Sequence, residues 1–223
     1  MSEADRLLIG HHVAVLTAVL TFAFAAALIV LLPGPDTLVV LRSLLREGRR
    51  QAVLTVVGVL TGLAVWVGVA AFGLSGLLRA SHEGYTALRI AGGAYLLWLG
   101  VGSLRSRSAE PASVAEPGWG TQRGGLLGTG YGAGLATDLL NPKVGVFFVT
   151  FLPAFIPHGQ PVGTTSLLLG GLFIAETAGY FAVLLLLAGR VTAWLRNPRV
   201  RARMDRLTGV VLIGFGLRLA VER

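Results

Sequence analysis

Apolar positions in this chain come in long unbroken runs, not in the alternating or every-third-residue patterns of half-buried soluble elements. Six runs predict six membrane-spanning helices, at roughly 13–41, 52–78, 86–104, 125–156, 163–189 and 207–221. At about 1.5 Å per residue, the first and fourth runs exceed the roughly 30 Å thickness of a bilayer core. Each is also interrupted by a helix-stopping triplet beside a charge. The first carries Pro33-Gly34-Pro35 followed by Asp36; the fourth carries Asn141-Pro142-Lys143, three residues after Asp138. Both long runs are therefore expected to be broken helices. Backbone left unpaired in lipid is too costly to persist, so such breaks survive only where they are buried in protein or line a cavity. Ionisable side chains at that depth mark a substrate or ion pathway. The pairing of the two features points to a transporter.

The residue types at the breaks have a definite chemistry. Asn141 is a good N-cap, and Pro142 suits the first helical position, whose N–H has no partner anyway. Lys143 then falls in the first turn, where the helix dipole disfavours a cation. Free N–H groups and an ammonium converging there suit a carboxylate. The structural alternative is that Lys143 neutralises Asp36, Asp138 or Glu176. Pro35 starts a second half-helix in the same way, with Asp36 in its first turn; Asp36 is either a dipole-satisfying cap or a ligand for an ammonium group or proton. Asp138 has the same two readings, as partner of Lys143 or as ligand. Glu176 lies in the middle of the fifth run with no local opposite charge. It is either a neutral side chain bonded to a neighbouring helix or a proton carrier.

The segment Ser106 to Gly120, rich in Pro, Ser, Ala and Glu, reads as a flexible linker that divides the chain near its middle. The halves resemble one another. Arg89-Ile90-Ala91-Gly92 in the third run matches Arg206-Leu207-Thr208-Gly209 in the sixth, and Gly58/Gly62 match Gly170/Gly171. Three spans per half place the halves in opposite orientations. The expected fold is an all-α membrane protein of about six transmembrane helices, two inverted three-helix repeats with the first helix of each broken. Residues 1–105 form the first repeat, 106–123 a cytoplasmic linker and 124–223 the second repeat. Thirteen Lys and Arg fall in the connections after the first, third and fifth spans, against five on the other side. The arginine-rich loops are therefore expected in the cytoplasm and both termini outside. Glu3 and Asp5 make a poor signal-peptide start, so the first run is read as a retained span.

Composition narrows the function further. The 223 residues are 54% hydrophobic and 13% charged, with mean hydropathy +0.73, against about 25% charge in soluble domains. The net charge of +8 lies in short segments between apolar runs, which is a membrane-surface pattern and not a nucleic-acid face. There are no cysteines, so thiolate metal sites and cysteine nucleophiles are excluded. His11 and His12 precede the first span and are read as solvated, with no metal site and no cofactor. The glycines of 124–134 lack the Gly-Lys-Ser/Thr of a phosphate loop. The pair Gly58/Gly62 allows close packing within the monomer or between the subunits of a homodimer. Trp66, Trp98, Trp119 and Trp194 are candidates for interface anchors.

Pro33-Gly34-Pro35-Asp36, the run Gly92–Gly100 (GGAYLLWLG), Asn141-Pro142-Lys143-Val144 and Phe151–Ile156 (FLPAFI) together resemble the lysine exporter (LysE) superfamily. The resemblance covers nearly the whole chain and is nearest to its homoserine/threonine-resistance (RhtB) branch. It implies a multi-pass protein of the bacterial plasma membrane that exports amino acids or derivatives using the proton gradient, with an acidic residue at the position of Glu176. One departure stands out: the position of Asp138 is more typically Asn, and an extra carboxylate favours a more cationic substrate or altered proton coupling.

The resulting expectation is a secondary transporter, not an enzyme, for a small amino acid in a lipid bilayer. Lys143 and the half-helix N-terminus at Asn141 would hold the carboxylate, Asp36 or Asp138 the ammonium, and Glu176 a proton. A cation or heavy-metal exporter of the same superfamily and a non-transporting membrane sensor or scaffold are the alternatives. Against the former, Lys143 would repel a cation. An intramembrane enzyme would need a nucleophile–base pair or metal triad that the spans lack.

Overall fold

The computed structural model describes residues 3–74, 82–105, 129–157, 159–187, 189–190 and 198–221, and those described residues form helices joined by short connections. The expected linker at 106–123, together with Trp119 and Trp194, lies outside them. Helix α1 (Glu3–Leu31) ends at the Pro33 break, and α2 (Pro35–Glu47) leaves at 48° to it. Proline 35 occupies the start of α2, where its missing N–H costs nothing. Helix α3 (Arg49–Gly68) continues as a π-helical turn, Val69–Leu74. Then come α4 (His82–Arg105), α5 (Gly130–Leu139), α6 (Pro142–Phe155), α7 (Val162–Leu186) and α8 (Pro198–Val221). The second break, between α5 and α6, bends the chain by 50°. Helix α6 is irregular: after Val146 it widens into a π turn and tightens into a 3₁₀ turn from Leu152. Pro153 explains this, because it removes one N–H from the ladder and its ring displaces the carbonyl four residues earlier.

Several expected boundaries move. The connection expected after the first span is not a loop: α2 carries Arg42 and Arg46 on its own surface, and a single residue, Gly48 at φ 88°, turns the chain into α3. Only glycine adopts that φ without strain. Helix α8 begins nine residues before 207, so Arg199, Arg203 and Arg206 lie on its first turns. Among the described residues, two helices, Arg49–Gly73 and Val162–Leu186, are long and apolar enough to cross a bilayer alone, and each bent pair meets the same test as a unit. Helices α4 and α8 have 24 residues each, about 36 Å, with charged ends and glycine-rich middles.

The most extensive helix contacts are α3 with α5 and α4 with α8. Both depend on glycine. A Cβ on Gly58 would overlap the Tyr131 carbonyl, one on Gly134 the Thr55 carbonyl, and one on Gly62 the Asp138 side chain. Gly130 meets Gln51 at one end of the contact and Gly62 meets Asp138 at the other, so α3 and α5 run parallel. Gly93 faces the Gly216 carbonyl while Gly100 faces that of Gly209, so α4 and α8 run antiparallel. The Gly58/Gly62 pair thus packs inside the monomer. Burial from lipid brings no hydrophobic gain, so close packing of this kind is what holds membrane helices together.

Two apolar clusters form the core. The larger interlocks Phe22, Phe147, Phe148, Phe151, Phe155 and Phe173 from α1, α6 and α7, with ring centroids 4.9–5.9 Å apart. The smaller joins Val40, Leu41, Val56, Val59, Phe181 and Leu184 from α2, α3 and α7. Outward-facing positions are apolar as well: Phe24, Phe72, Trp98, Leu168 and Leu186 are all more than two-thirds exposed. A surface of that kind is suited to lipid.

Candidate functional site: two interlocked helix breaks

The two breaks meet between the two apolar clusters, and each supplies what the other lacks. Ending α1 at Leu31 leaves its last carbonyls without intrahelical partners. Lys143, from the other half of the chain, reaches across and donates from Nζ to the Ile29 carbonyl at 3.3 Å and the Leu32 carbonyl at 3.2 Å. An ammonium at the negative end of a helix dipole is favourable, which resolves the oddity of a lysine in the first turn of α6. Gly34 makes room for it, since a Cβ there would stand 3.3 Å from Nζ.

Asn141 is bifunctional. Its Oδ1 accepts from the Lys143 backbone N–H at 3.1 Å, capping α6, while its Nδ2 donates to Asp36 Oδ2 at 2.7 Å. The expected cap is present, and a tie between the breaks comes with it. At the end of α5, the Asp138 carbonyl accepts from the Asn141 backbone N–H at 3.0 Å and from the Trp66 indole at 3.4 Å. Trp66 is accordingly an internal brace and not an interface anchor, and its ring lies against Gly145.

One half-helix start stays uncapped. The N-cap of α2 is Gly34, in extended conformation with no side chain to bond the N–H groups of the first turn. Pro35 has no N–H, so Asp36 and Thr37 carry the first backbone donors of α2. The carboxylate-binding end expected at α6 is filled by its own Asn141, and the open one is at α2.

These groups surround a cavity of about 40 Å³, lined by Gly34, Asp36, Thr37, Asp138, Lys143 and Tyr180 among others. That is room for roughly one to three waters, less than a whole amino acid. Asp138 is fully buried, and neither of its carboxyl oxygens has a partner; Oδ1 of Asp36 is likewise unpartnered. Thr37 and Tyr180 hydroxyls meet at 3.3 Å, joining α2 to α7 across the cavity. Neither residue stands out in sequence, because a hydroxyl within an apolar run carries no positional signal.

Asp36, Asp138, Asn141 and Lys143 are thus brought together. Glu176 is not in this set. It sits on α7 beside the face formed by Phe173, Thr177, Tyr180 and Phe181, is partly exposed, and does not line the cavity. An open apolar groove of about 520 Å³ lies on the other side of the second break, against Trp66, Tyr95 and Pro142. Volume favours that groove, but of the two spaces it is the small cavity that holds the unpaired carboxyl oxygens of Asp36 and Asp138, and charge is what costs energy there; Glu176 Oε2 is also buried without a partner, away from both. Among the described residues no group of three or more His, Cys, Asp or Glu side chains gathers to hold a metal.

Comparison with known proteins agrees in kind. Residues 27–223 match the family model of the LysE type translocators. The chain is 30% identical over 205 residues to the threonine efflux protein of Escherichia coli K12, covering 92% of this chain and 98% of that protein. It is 31% identical over 206 residues to the leucine efflux protein of Enterobacter sp. strain 638, covering 90% and 93%. An uncharacterized membrane protein of Bacillus subtilis is 26% identical over 208 residues, covering 92% and 99%. No solved structure matches the chain.

Proposed function

Because the chain belongs to the LysE type translocator family, we propose that it exports amino acids or similar small zwitterions across the bacterial plasma membrane, driven by the proton gradient. The observation that carries this reading is the buried set of opposite charges where the two breaks meet: Asp36, Asp138 and Lys143 around one cavity. A zwitterion is complementary to it. The substrate carboxylate is placed at the uncapped α2 N-terminus, beside the remaining Lys143 proton; the ammonium is placed at Asp138 and the free oxygen of Asp36. Asn141 positions both Asp36 and Lys143. Glu176 and Asp138 are the candidate proton carriers. Relatives named for threonine and leucine efflux support the substrate class.

The proposed architecture is six spans in two inverted repeats, with arginine-rich ends in the cytoplasm and both termini outside. Support comes from the similar bends at the two breaks and from the packing of α3 on α5 and of α7 on α1, the reciprocal contacts of an inverted pair. Antiparallel packing of α4 on α8, the third helix of each half, fits the same plan. The cavity is too small for substrate, so transport requires α2 or α7 to move outward.

The test is uphill movement of threonine or leucine in proteoliposomes under an imposed pH gradient. Accumulation that collapses with the gradient is expected, whereas movement indifferent to the gradient would refute proton coupling. Undiminished transport after replacing Asp36, Asp138 and Lys143 together would refute the site.

A further inference from the structure

The charges around the cavity do not balance. Lys143 is one cation; Asp36 and Asp138 are two carboxyls; Tyr180 is the remaining titratable group that lines it. Helix α3 contributes Val59 and Leu63 to the lining, with Gly62 beneath Asp138, and α1 contributes Ile29 and Val30, with Leu32 just past its end, so neither adds a charged side chain. Asp36 has Asn141 as donor and the Lys143 charge nearby. Asp138 has neither: it is 0% exposed, seated on Gly62, with both oxygens unbonded. A buried carboxylate with no cation and no donor is unfavourable by several kcal/mol, and a second carboxylate alongside makes it worse.

We propose that Asp138 is where proton and substrate compete: it holds a proton when the site is empty and releases it to the open side when the substrate ammonium takes its place. This rests on the export reading above and assigns its coupling step. The exchange balances as neutral Asp138 carboxyl plus substrate ammonium yielding Asp138 carboxylate paired with that ammonium, plus one proton released to the open side. The site gains one positive charge and loses one. Neither ligand leaves unless the other replaces it, since a bare buried carboxylate would remain, so return of the empty carrier carries a proton inward for each substrate moved outward. Glu176, away from the cavity, takes no part in the exchange.

The first measurement needs no substrate. In infrared difference spectra of the purified protein, the carbonyl stretch of a neutral buried carboxyl is expected in the wild type, absent in Asp138→Asn and retained in Glu176→Gln. The isosteric, neutral amide mimics the protonated state, so Asp138→Asn is expected to fold with unchanged thermal stability. Adding threonine or leucine should bleach the wild-type band and release about one proton per molecule bound. On the acid side, the apparent Kd should rise tenfold per pH unit, the signature of competition for one proton. A band that persists in Asp138→Asn, or binding without proton release, overturns the proposal. If wild-type transport is driven by a pH gradient and yet Asp138→Asn is driven equally, Asp138 is wrong and the export reading stands. If neither amino acid binds or moves in the wild type, both fall.

Discussion

Replacing Lys143 by Met separates two roles that sequence treats as one. If the lysine serves only as a substrate ligand, its loss abolishes binding and leaves the fold intact. The structure instead gives its ammonium to the Ile29 and Leu32 carbonyls, at the broken end of α1. Methionine fills similar space but donates nothing. Each carbonyl stripped of its donor costs about 1–3 kcal/mol, so the substitution should destabilise by about 2–6 kcal/mol. Asp36 loses its cation as well, which pushes the effect toward the upper end. For a protein of this length, about 2–4 °C per kcal/mol translates this into a Tm lower by about 4–24 °C. Thermal unfolding of the detergent-solubilised protein, followed by tryptophan fluorescence, measures it. Lys143→Arg, which retains the charge and several donors, should recover much of the loss. A Lys143→Met protein that melts within a degree of wild type while failing to bind substrate would refute the bracing role.

Three further outcomes follow from the geometry. Gly58→Val drives a side chain into the Tyr131 backbone, which cannot yield as a flexible side chain would; about 1–3 kcal/mol of overpacking should show as a lower melting temperature, whereas Gly171→Ala, facing open space, should melt like wild type. Asn141→Ala removes the α6 cap and the donor to Asp36 together, for a loss of about 2–5 kcal/mol by thermal unfolding, larger than for an ordinary cap. Thr37→Val and Tyr180→Phe should show a coupling of about 0.5–1.5 kcal/mol in a double-mutant cycle, and strictly additive effects would exclude the bond seen between them.

Local features were legible along the chain wherever backbone chemistry decides. Pro35 and Asn141-Pro142 had to begin helices, because a proline lacks the N–H that only a first turn can spare and an asparagine side chain can cap. Apolar runs too long for one straight span had to be bent, and both are. The boundaries were less legible at α2 and α8, where arginines read as loop charges continue a helix whose apolar stretch has already ended. Trp66, expected among the interface anchors, was less legible for a related reason. An indole in an apolar run looks the same whether it faces lipid or another helix.

By itself, then, the chain determined that helices break at two places beside Asp36 and Lys143, and that those breaks must be buried. Only the tertiary structure decided which group serves which. Contacts between residues more than a hundred positions apart gave Lys143 to the α1 carbonyls and Asn141 to Asp36. Those contacts left the α2 N-terminus uncapped and Asp138 without a partner. Hydrogen bonding is short-ranged and each donor is used once, so the unsatisfied group that defines the site appears only after every other partner has been assigned in space.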